Sequence, residues 1–452
     1  MSAFEKASKY SSKFQIDECE VVFVKKNIIT IRITDSEIVE IKENFDENFG
    51  IRLIQGKKIS SFQTVNEKEI EKNIEESLNT SKYLKPRDFW KSLPSSIKYT
   101  PIKNTADTKI QQISGISATD IAQNMINSTL DKKISTISGS LNIVSEYFEI
   151  SNSKGLDLKD EGTYISGIIN AESETGSNPV SGIGHACCRT LDKFSPEKIG
   201  QDAKTMCVES INPKKCESDT YSIIFEPYSV GEMLAFVFAS NFNFKTFSEK
   251  KSCFSNDFQK SIAIDEFSLI DDPHAPQGIG TKPFDDEGVK TKVNNIIEKG
   301  IFKNTFSDLF DSFKENKEST GNATRPGSPM GRSAEPIPIA SPHNLRIKQG
   351  SIPQEDMIKD TKRGLLVGRL WYTYAVNPIK GDFSCTARSG IRIIENGEIK
   401  CSGKPVRIIH NLPVLLRNIS AIGNNQENVQ QWASLPSITP SIRVDKIKTI
   451  SI

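Results

Sequence analysis

The sequence predicts an α+β protein. Its expected parts are an N-terminal α+β domain (residues 1–190), with an antiparallel sheet and helices, and a C-terminal β-rich, antiparallel, barrel-like domain (191–452). Three observations carry this. Ile29, Ile31 and Ile33 alternate with Thr30, Arg32 and Thr34, the period of a strand with one face on a core. A capped helix near Ser117 is followed by consecutive strand-like segments with short turns, not by the βαβ rhythm of a parallel sheet. The C-terminal half is rich in short strands and turns.

The elements follow in order. After the first strand come a second at Gly50 to Leu53, a Gly56-Lys57-Lys58 turn, and a third strand from Ile59 to Phe62. Asn66 starts a helix with Glu69 as its capping-box partner, and Ile70, Ile74 and Leu78 mark its buried stripe. Pro86 and Pro94 interrupt regular structure. Ser117 with Asp120 opens the next helix, whose apolar side is Ile121, Met125 and Leu130. Strands are expected at Ile134 to Ile137, Leu141 to Ile150 and Thr163 to Asn170, the last two separated by the turn Asn152 to Gly155. Ser173 to Gly184, rich in Gly and Ser, reads as a long surface connection.

Ser195-Pro196-Glu197 is a helix start, and Ile199, Ala203 and Cys207 line its buried side. Tyr221 to Phe225 reads as a strand that leads through Pro227 into an apolar helix, Val230 to Ala239. Residues 319–344 contain Pro326, Pro329, Pro336, Pro338 and Pro342, so they read as a long loop or linker. Asn396-Gly397 between apolar runs signals a hairpin.

Composition then narrows function. Lys and Arg total 58 against 57 Asp and Glu, a formal charge of +1, so no general nucleic-acid footprint is present and no nucleic-acid partner is expected. The longest apolar run, Met233 to Ala239, is far short of the roughly 20 residues of a membrane span. No secretory h-region is visible, and the expected compartment is the cytoplasm. The eight cysteines form no C-x-x-C pair; adjacent Cys187 and Cys188 admit a redox reading beside the plainer one of buried thiols.

Metal, nucleophile and phosphate motifs can be audited directly. His185, His274, His343 and His410 are the only histidines, and none stands three to five residues from another, so no helical imidazole pair converges on zinc. No G-x-S-x-G elbow and no phosphate-cradling glycine loop occurs. The acidic runs Asp271-Asp272-Pro273 and Phe284-Asp285-Asp286-Glu287-Gly288 offer oxygen ligands for Mg²⁺ or Ca²⁺. Their spacing is not that of an EF-hand, however, and Asp before Pro or Gly is also turn chemistry. The aromatic run Phe236 to Phe247 reads as a core helix followed by a strand rather than a base-stacking platform.

The same acidic runs carry a family resemblance. Asp271-Asp272-Pro273, Gly278, Gly280, Phe284 to Val289, Thr291, Ile297-Glu298 and Gly300 resemble the signature of the TldD/PmbA family, metallopeptidase-related proteins once called modulators of DNA gyrase. The likeness continues through Ser319 to Arg325, with Thr320, Gly321 and Asn322. It runs on through Pro342 to Leu345, Gly381 to Ser384, Glu395 to Ile399 and Ile422 to Asn424.

In that family, TldD-type chains carry H-E-x-x-x-H on a helix and a C-terminal Cys that together hold the metal. TldE/PmbA-type chains lack them and pair with the first kind. Here the corresponding helix, Ser229 to Asn241, has no histidine; its window reads Leu234 to Ser240, with Phe236 and Phe238 where ligands would stand. Its one acid, Glu232, sits three residues after Ser229 in a capping-box pattern. From Gly423 through Gln430-Gln431-Trp432-Ala433 to Ile452 there is no Cys.

The resemblance therefore implies a PmbA/TldE-like, non-catalytic subunit of a cytoplasmic metallopeptidase complex that degrades short or unfolded peptides. No catalytic, cofactor or metal residue is expected in this chain, and zinc is expected only on a TldD-type partner. The implied partners are that TldD-type subunit, or a second copy in a homodimer, and peptides. Asp271, Asp272, Phe284, Asp285, Asp286, Glu287, Gly288, Thr320, Gly321 and Asn322 are the expected family-signature or substrate-channel positions. The alternatives are a free-standing hydrolase with a rebuilt metal or thiol site, and a homodimeric binding or scaffold protein.

Overall fold

The structure, a computed structural model, describes residues 3–431 and 435–452. Six strands, β1 (Glu18–Thr34), β2 (Glu37–Gln55), β3 (Lys58–Thr64), β4 (Thr136–Asn152), β5 (Asp157–Ser173) and β6 (Val180–Cys188), form one antiparallel sheet in the order β3-β2-β1-β4-β5-β6. Strand alternation gives this sheet two faces with different partners. Cys19, Val21, Ile29, Ile31 and Ile33 point to the helical side. There they meet α1 (Ala3–Phe14), α2 (Ile70–Ser81), α3 (Thr108–Gln111), α4 (Gly115–Thr129) and α5 (Pro196–Glu209). Val22, Val24 and Ile28 face the other way, onto Phe284, Ala334, Ile279 and Met330 of the chain's central segment.

Local chemistry explains most helix ends. Ser195 accepts from the Lys198 N–H, with Pro196 at the first helical position of α5. Asn66 caps a short 3-10 turn that leads into α2, through the Lys68 N–H. The cap of α4 is Ser114 rather than Ser117: its hydroxyl accepts from the Ser117 N–H, so the helix starts one turn earlier than the sequence pattern suggested.

The Gly- and Ser-rich stretch 173–184 is not all surface connection, because β6 begins at Val180. Its glycines serve packing. A Cβ at Gly184 would stand 1.9 Å from the Ile199 carbonyl oxygen and one at Gly182 2.3 Å from the Cys207 nitrogen, so α5 lies directly on β6. That helix follows residue 190 in sequence yet packs on the N-terminal sheet and against α4.

The C-terminal region holds a closed five-stranded barrel. β7 (Thr220–Phe225) lies between Arg363–Asn377 and Ile442–Ser451; the ring continues through Val406–Asn411 and Asp382–Glu395 and closes back onto Arg363–Asn377. The pairing of β7 with Arg363–Asn377 is parallel, and the other barrel pairings are antiparallel. The Asn396-Gly397 hairpin forms as expected, with both residues at positive φ (51° and 82°).

After β7 the chain enters α6 (Pro227–Met233), then a π-helical turn (Leu234–Phe238) and a 3-10 turn (Ala239–Phe242). Val230, Leu234, Val237 and Phe238 share one core with Leu365, Phe383, Ile408 and Val444 from the barrel strands. A second six-stranded sheet runs Ile301–Phe302, Asn294–Glu298, Leu269–Asp271, Leu345–Ile347, Pro436–Thr439, Glu427–Gln430. Segment 319–344 is not a free linker. It carries a short ribbon, Ala323–Thr324 with Ile339–Ala340, and buries Asn322, Arg325, Arg332 and Ala334 against the sheet and its neighbours.

Candidate functional site

The signature positions gather where the central segment lies on the N-terminal sheet, and each buried carboxylate there is already engaged. Asp271 accepts from the backbone N–H groups of His343 (2.8 Å) and Asn344 (2.9 Å) and from the Asn322 amide. Asp272 pairs with Arg346 at 3.0 Å. Asp285 accepts from the N–H groups of Glu287, Val289 and Ala323, at 3.0, 2.8 and 3.0 Å. Asp286 accepts from Lys282 Nζ (2.9 Å), Arg332 Nε (2.9 Å) and the Arg325 N–H (2.7 Å). Glu287 accepts from Arg52 Nη1 (2.7 Å) and the Leu309 N–H (2.8 Å).

The remaining signature residues complete the joint. Gly288 and Gly321 have φ of 82° and 76°, which a side chain would strain. Thr320 Oγ1 donates to Asn322 Oδ1 at 2.7 Å, and Phe284 packs among Val22, Val24 and Phe148.

Two chains of charge cross the joint. Arg325 holds Glu20 (2.6 Å), Glu20 holds Arg52 (2.7 Å) and Arg52 holds Glu287 (2.7 Å). Arg332 links Asp286 (2.9 Å) to Asp160 (2.6 Å), and the Arg332 N–H donates to Glu146. The Lys282 and Arg332 charges hold Asp286 down at about 2 although burial opposes this. Burial pushes Asp271 up to about 7. Burial, reinforced by the Glu287 charge, also raises Asp285 and Asp308. No signature carboxylate is left over for a cation, so the acidic runs work here as turn and joint chemistry.

The helix after β7 is the second landmark. Pro227 takes its first position, so Ser229 lies inside the first turn and is no cap; its hydroxyl donates to the Glu226 and Val367 carbonyls. Glu232 consequently does not reach back to its own helix. Its Oε2 accepts from the Leu370 N–H at 2.7 Å, and burial raises it to about 8. Matching the glutamate of H-E-x-x-x-H to Glu232 sets Gly231 and Phe236 at the histidine positions, a different register from the Phe236 and Phe238 read from the sequence, and the helix holds no histidine in either one. A Cβ at Gly231 would lie 2.5 Å from Val429 Cγ1, so a larger residue there requires Val429 to move. Trp432 and Ala433 lie outside the described residues.

Beside this helix a cleft of about 450 Å³ opens between the N-terminal sheet and the C-terminal region. Ser140, Asn142 and Ser166 of the sheet, the Pro326 turn, and Tyr228, His185, Arg369 and Gln430 line it. His185 stacks edge-on to Tyr228 (4.5 Å between centroids), and burial holds it down at about 4. Of the other histidines, His343 donates from Nε2 to the Gly321 carbonyl at 2.7 Å and is held at about 3 by burial. Burial weakens the buried thiols as nucleophiles: it raises Cys188, Cys207 and Cys216 to about 11 and pushes Cys187 and Cys385 higher still. The adjacent pair Cys187 and Cys188 is thus the buried-thiol case, with no disulfide.

Arg369, Tyr228 and Gln430 are site residues that the sequence pattern did not single out. Arg369 sits in a strand-like run, and only the basic–aromatic alternation Arg369, Trp371 hinted at it.

An α+β sheet, a barrel whose core is completed by a helix, and a cleft between the two make an architecture with solved counterparts. The solved TldE from Thermococcus kodakarensis superimposes with a TM-score of 0.90 at 24% identity, covering 99% of this chain and 100% of that one. A putative modulator of DNA gyrase from Thermotoga maritima gives 0.87 at 23%, covering 99% of each. The metalloprotease PmbA homolog of Buchnera aphidicola is 24% identical over 422 residues, 90% of each chain. Residues 218–451 match the PmbA/TldA metallopeptidase C-terminal domain and residues 19–81 match domain 1 of the same metallopeptidases. The chain belongs to the PmbA/TldD family.

That family name implies a metal, and the residues present can be tested against it. A hydrolytic zinc needs about three protein ligands and an open position. The helix here supplies Glu232 alone, and among the described residues no three of His, Cys, Asp or Glu come together to hold an ion. This donor set does not fit zinc.

Proposed function

We propose that this chain is the non-catalytic, PmbA/TldE-like subunit of a peptidase complex. Its partner is a TldD-type chain that carries H-E-x-x-x-H and the zinc, and the complex acts in the cytoplasm on short or unfolded peptides. One observation carries the reading: the helix that would present the metal ligands, Ser229 to Asn241, contains no histidine, and its one acid, Glu232, is tied to the Leu370 N–H. The rest of that helix is built for packing, since Leu234, Val237 and Phe238 are buried in the barrel core. The cysteine pKa values argue against a substitute thiol nucleophile. No helix among the described residues is long and apolar enough to cross a membrane, which fits a complex working on peptides in solution.

The test is direct. The purified chain is assayed for bound zinc and for turnover of unstructured peptides, alone and then with a family member carrying H-E-x-x-x-H. The expected outcome is no stoichiometric zinc and no turnover alone, with activity on adding the partner. Stoichiometric zinc with turnover by the chain alone overturns the reading.

A further inference from the structure

The cleft beside α6 is lined by one cation whose Nε has no hydrogen-bond partner. Of its lining residues only Arg369 carries a full charge, since no Asp, Glu or Lys is among them. Its side chain is 16% accessible and stacks over Trp371, with Cζ 4.6 Å from the ring centre. The same guanidinium approaches the Tyr228 ring at 5.9 Å. Among the described residues its carboxylate partner is Glu232, 3.9 Å from Nε and beyond hydrogen-bond reach, whose other oxygen is committed to the Leu370 N–H. Burial raises Glu232 although the Arg369 charge opposes this, which weakens the long ion pair between them. Arg369 Nε has no hydrogen-bond partner.

Acceptors stand beside the cation. Burial holds His185 neutral, and its Nε2 is buried without a hydrogen-bond partner, which makes it an acceptor in the Nδ1-protonated tautomer. The oxygen of the Gln430 amide is likewise unpartnered. Buried polar groups without partners are costly, about 1–3 kcal/mol each. One fork-shaped cation with neutral acceptors beside it matches a carboxylate followed by an N–H, the pattern at the end of a polypeptide.

We propose that this cleft binds the C-terminal carboxylate of a short peptide, with Arg369 as its anion contact and His185 and Gln430 receiving N–H groups of the terminal residues. The cleft volume, about 450 Å³, lies within the range of small-ligand sites. The polar lining of Ser140, Asn142 and Ser166 favours main-chain groups over one apolar side chain. The assignment deepens the subunit reading and rests on it only for the choice of a peptide as the ligand.

Calorimetric titration of the purified full-length chain tests it with three probes: N-acetyl-trialanine with a free carboxylate, the same peptide as its C-terminal amide, and inorganic phosphate. A charge-assisted bond predicts that the acid binds about 10- to 100-fold more tightly than the amide. Arg369→Gln should remove that preference and leave amide binding unchanged; Arg369→Lys, which keeps the charge and loses the fork, should fall between them. Melting temperature checks that the variants fold, and the wild-type acid–amide comparison stands without them.

Equal binding of acid and amide overturns the proposal, as does a folded Arg369→Gln variant that keeps the preference, or no binding of either peptide up to about 10 mM. Phosphate competing as well as the acid overturns it in favour of a general anion site. None of these results touches the subunit reading, which falls on zinc and turnover by the chain alone.

Discussion

Asp286→Asn should be among the most damaging isosteric changes in the protein. The buried carboxylate holds two cations, Lys282 and Arg332, and caps the Arg325 N–H, so an amide there leaves two desolvated charges short of a partner. Two routes give the magnitude. The carboxyl is drawn from 3.8 to about 2, which corresponds to about 2 kcal/mol of stabilisation at neutral pH. Removing one partner of a buried ion pair typically costs 3–5 kcal/mol. A loss of about 2–5 kcal/mol is therefore expected from urea unfolding followed by tryptophan fluorescence. The control is Asp356→Asn, whose solvent-exposed pair with Lys359 should leave the urea midpoint nearly unchanged.

The pH dependence carries a second signature. Because the folded-state value is depressed, the Asp286 contribution is present above about 3.8 and is lost as pH falls toward about 2. The variant should lack that part of the acid transition. A variant within 0.5 kcal/mol of wild type, or one whose acid limb is unchanged, refutes the account of the joint.

Other changes are testable on the same material. Glu232→Gln should gain stability relative to wild type as pH rises from about 5 to 9. The native carboxyl titrates at about 8 against 4.5 when unfolded, so wild-type stability falls across that window. Paired melting curves at pH 5 and 9 that shift equally would remove burial as the cause. Gly184→Ala places a methyl 1.9 Å from the Ile199 carbonyl oxygen and should cost about 1–3 kcal/mol, seen as a lower urea midpoint; an unchanged midpoint would mean that α5 does not lie on β6. In native buffer a thiol reagent should reach at most Cys253 and Cys401, the other six cysteines being buried. A third fast equivalent would contradict that packing.

What the sequence disclosed was local. The Ile29-Ile31-Ile33 alternation, the Ser195-Pro196 cap and the Asn396-Gly397 turn each depend on neighbours a few residues away, and each forms as its pattern implies. The misreadings were also local. Ser114 and Ser117 both look like caps, and Pro227 rather than Ser229 sets the start of α6. Glycines at 182 and 184 looked like loop because the helix they accommodate comes later in the chain. The joint and the cleft were not legible in this way. Arg325 is 305 residues from Glu20, Arg52 is 235 from Glu287, and Arg369 meets Tyr228 only after the barrel closes. No spacing rule reaches across such separations.

The acidic signature and the metal helix therefore answer different questions. Asp271, Asp285, Asp286 and Glu287 spend their oxygens on backbone N–H groups, Arg52, Arg332 and Lys282, which fixes the central segment on the N-terminal sheet. A chain that needs that joint keeps these residues whether or not it hydrolyses anything, so they identify the fold. The proposed lack of a hydrolytic metal turns instead on the helix Ser229 to Asn241, which has no histidine, completes the barrel core and has its glutamate already bonded. Building a metal site with a histidine at position 231 would require displacing Val429 and freeing Glu232 from Leu370, changes to packing as much as to ligands. A histidine introduced at position 231 alone should therefore lower stability before it gains any zinc.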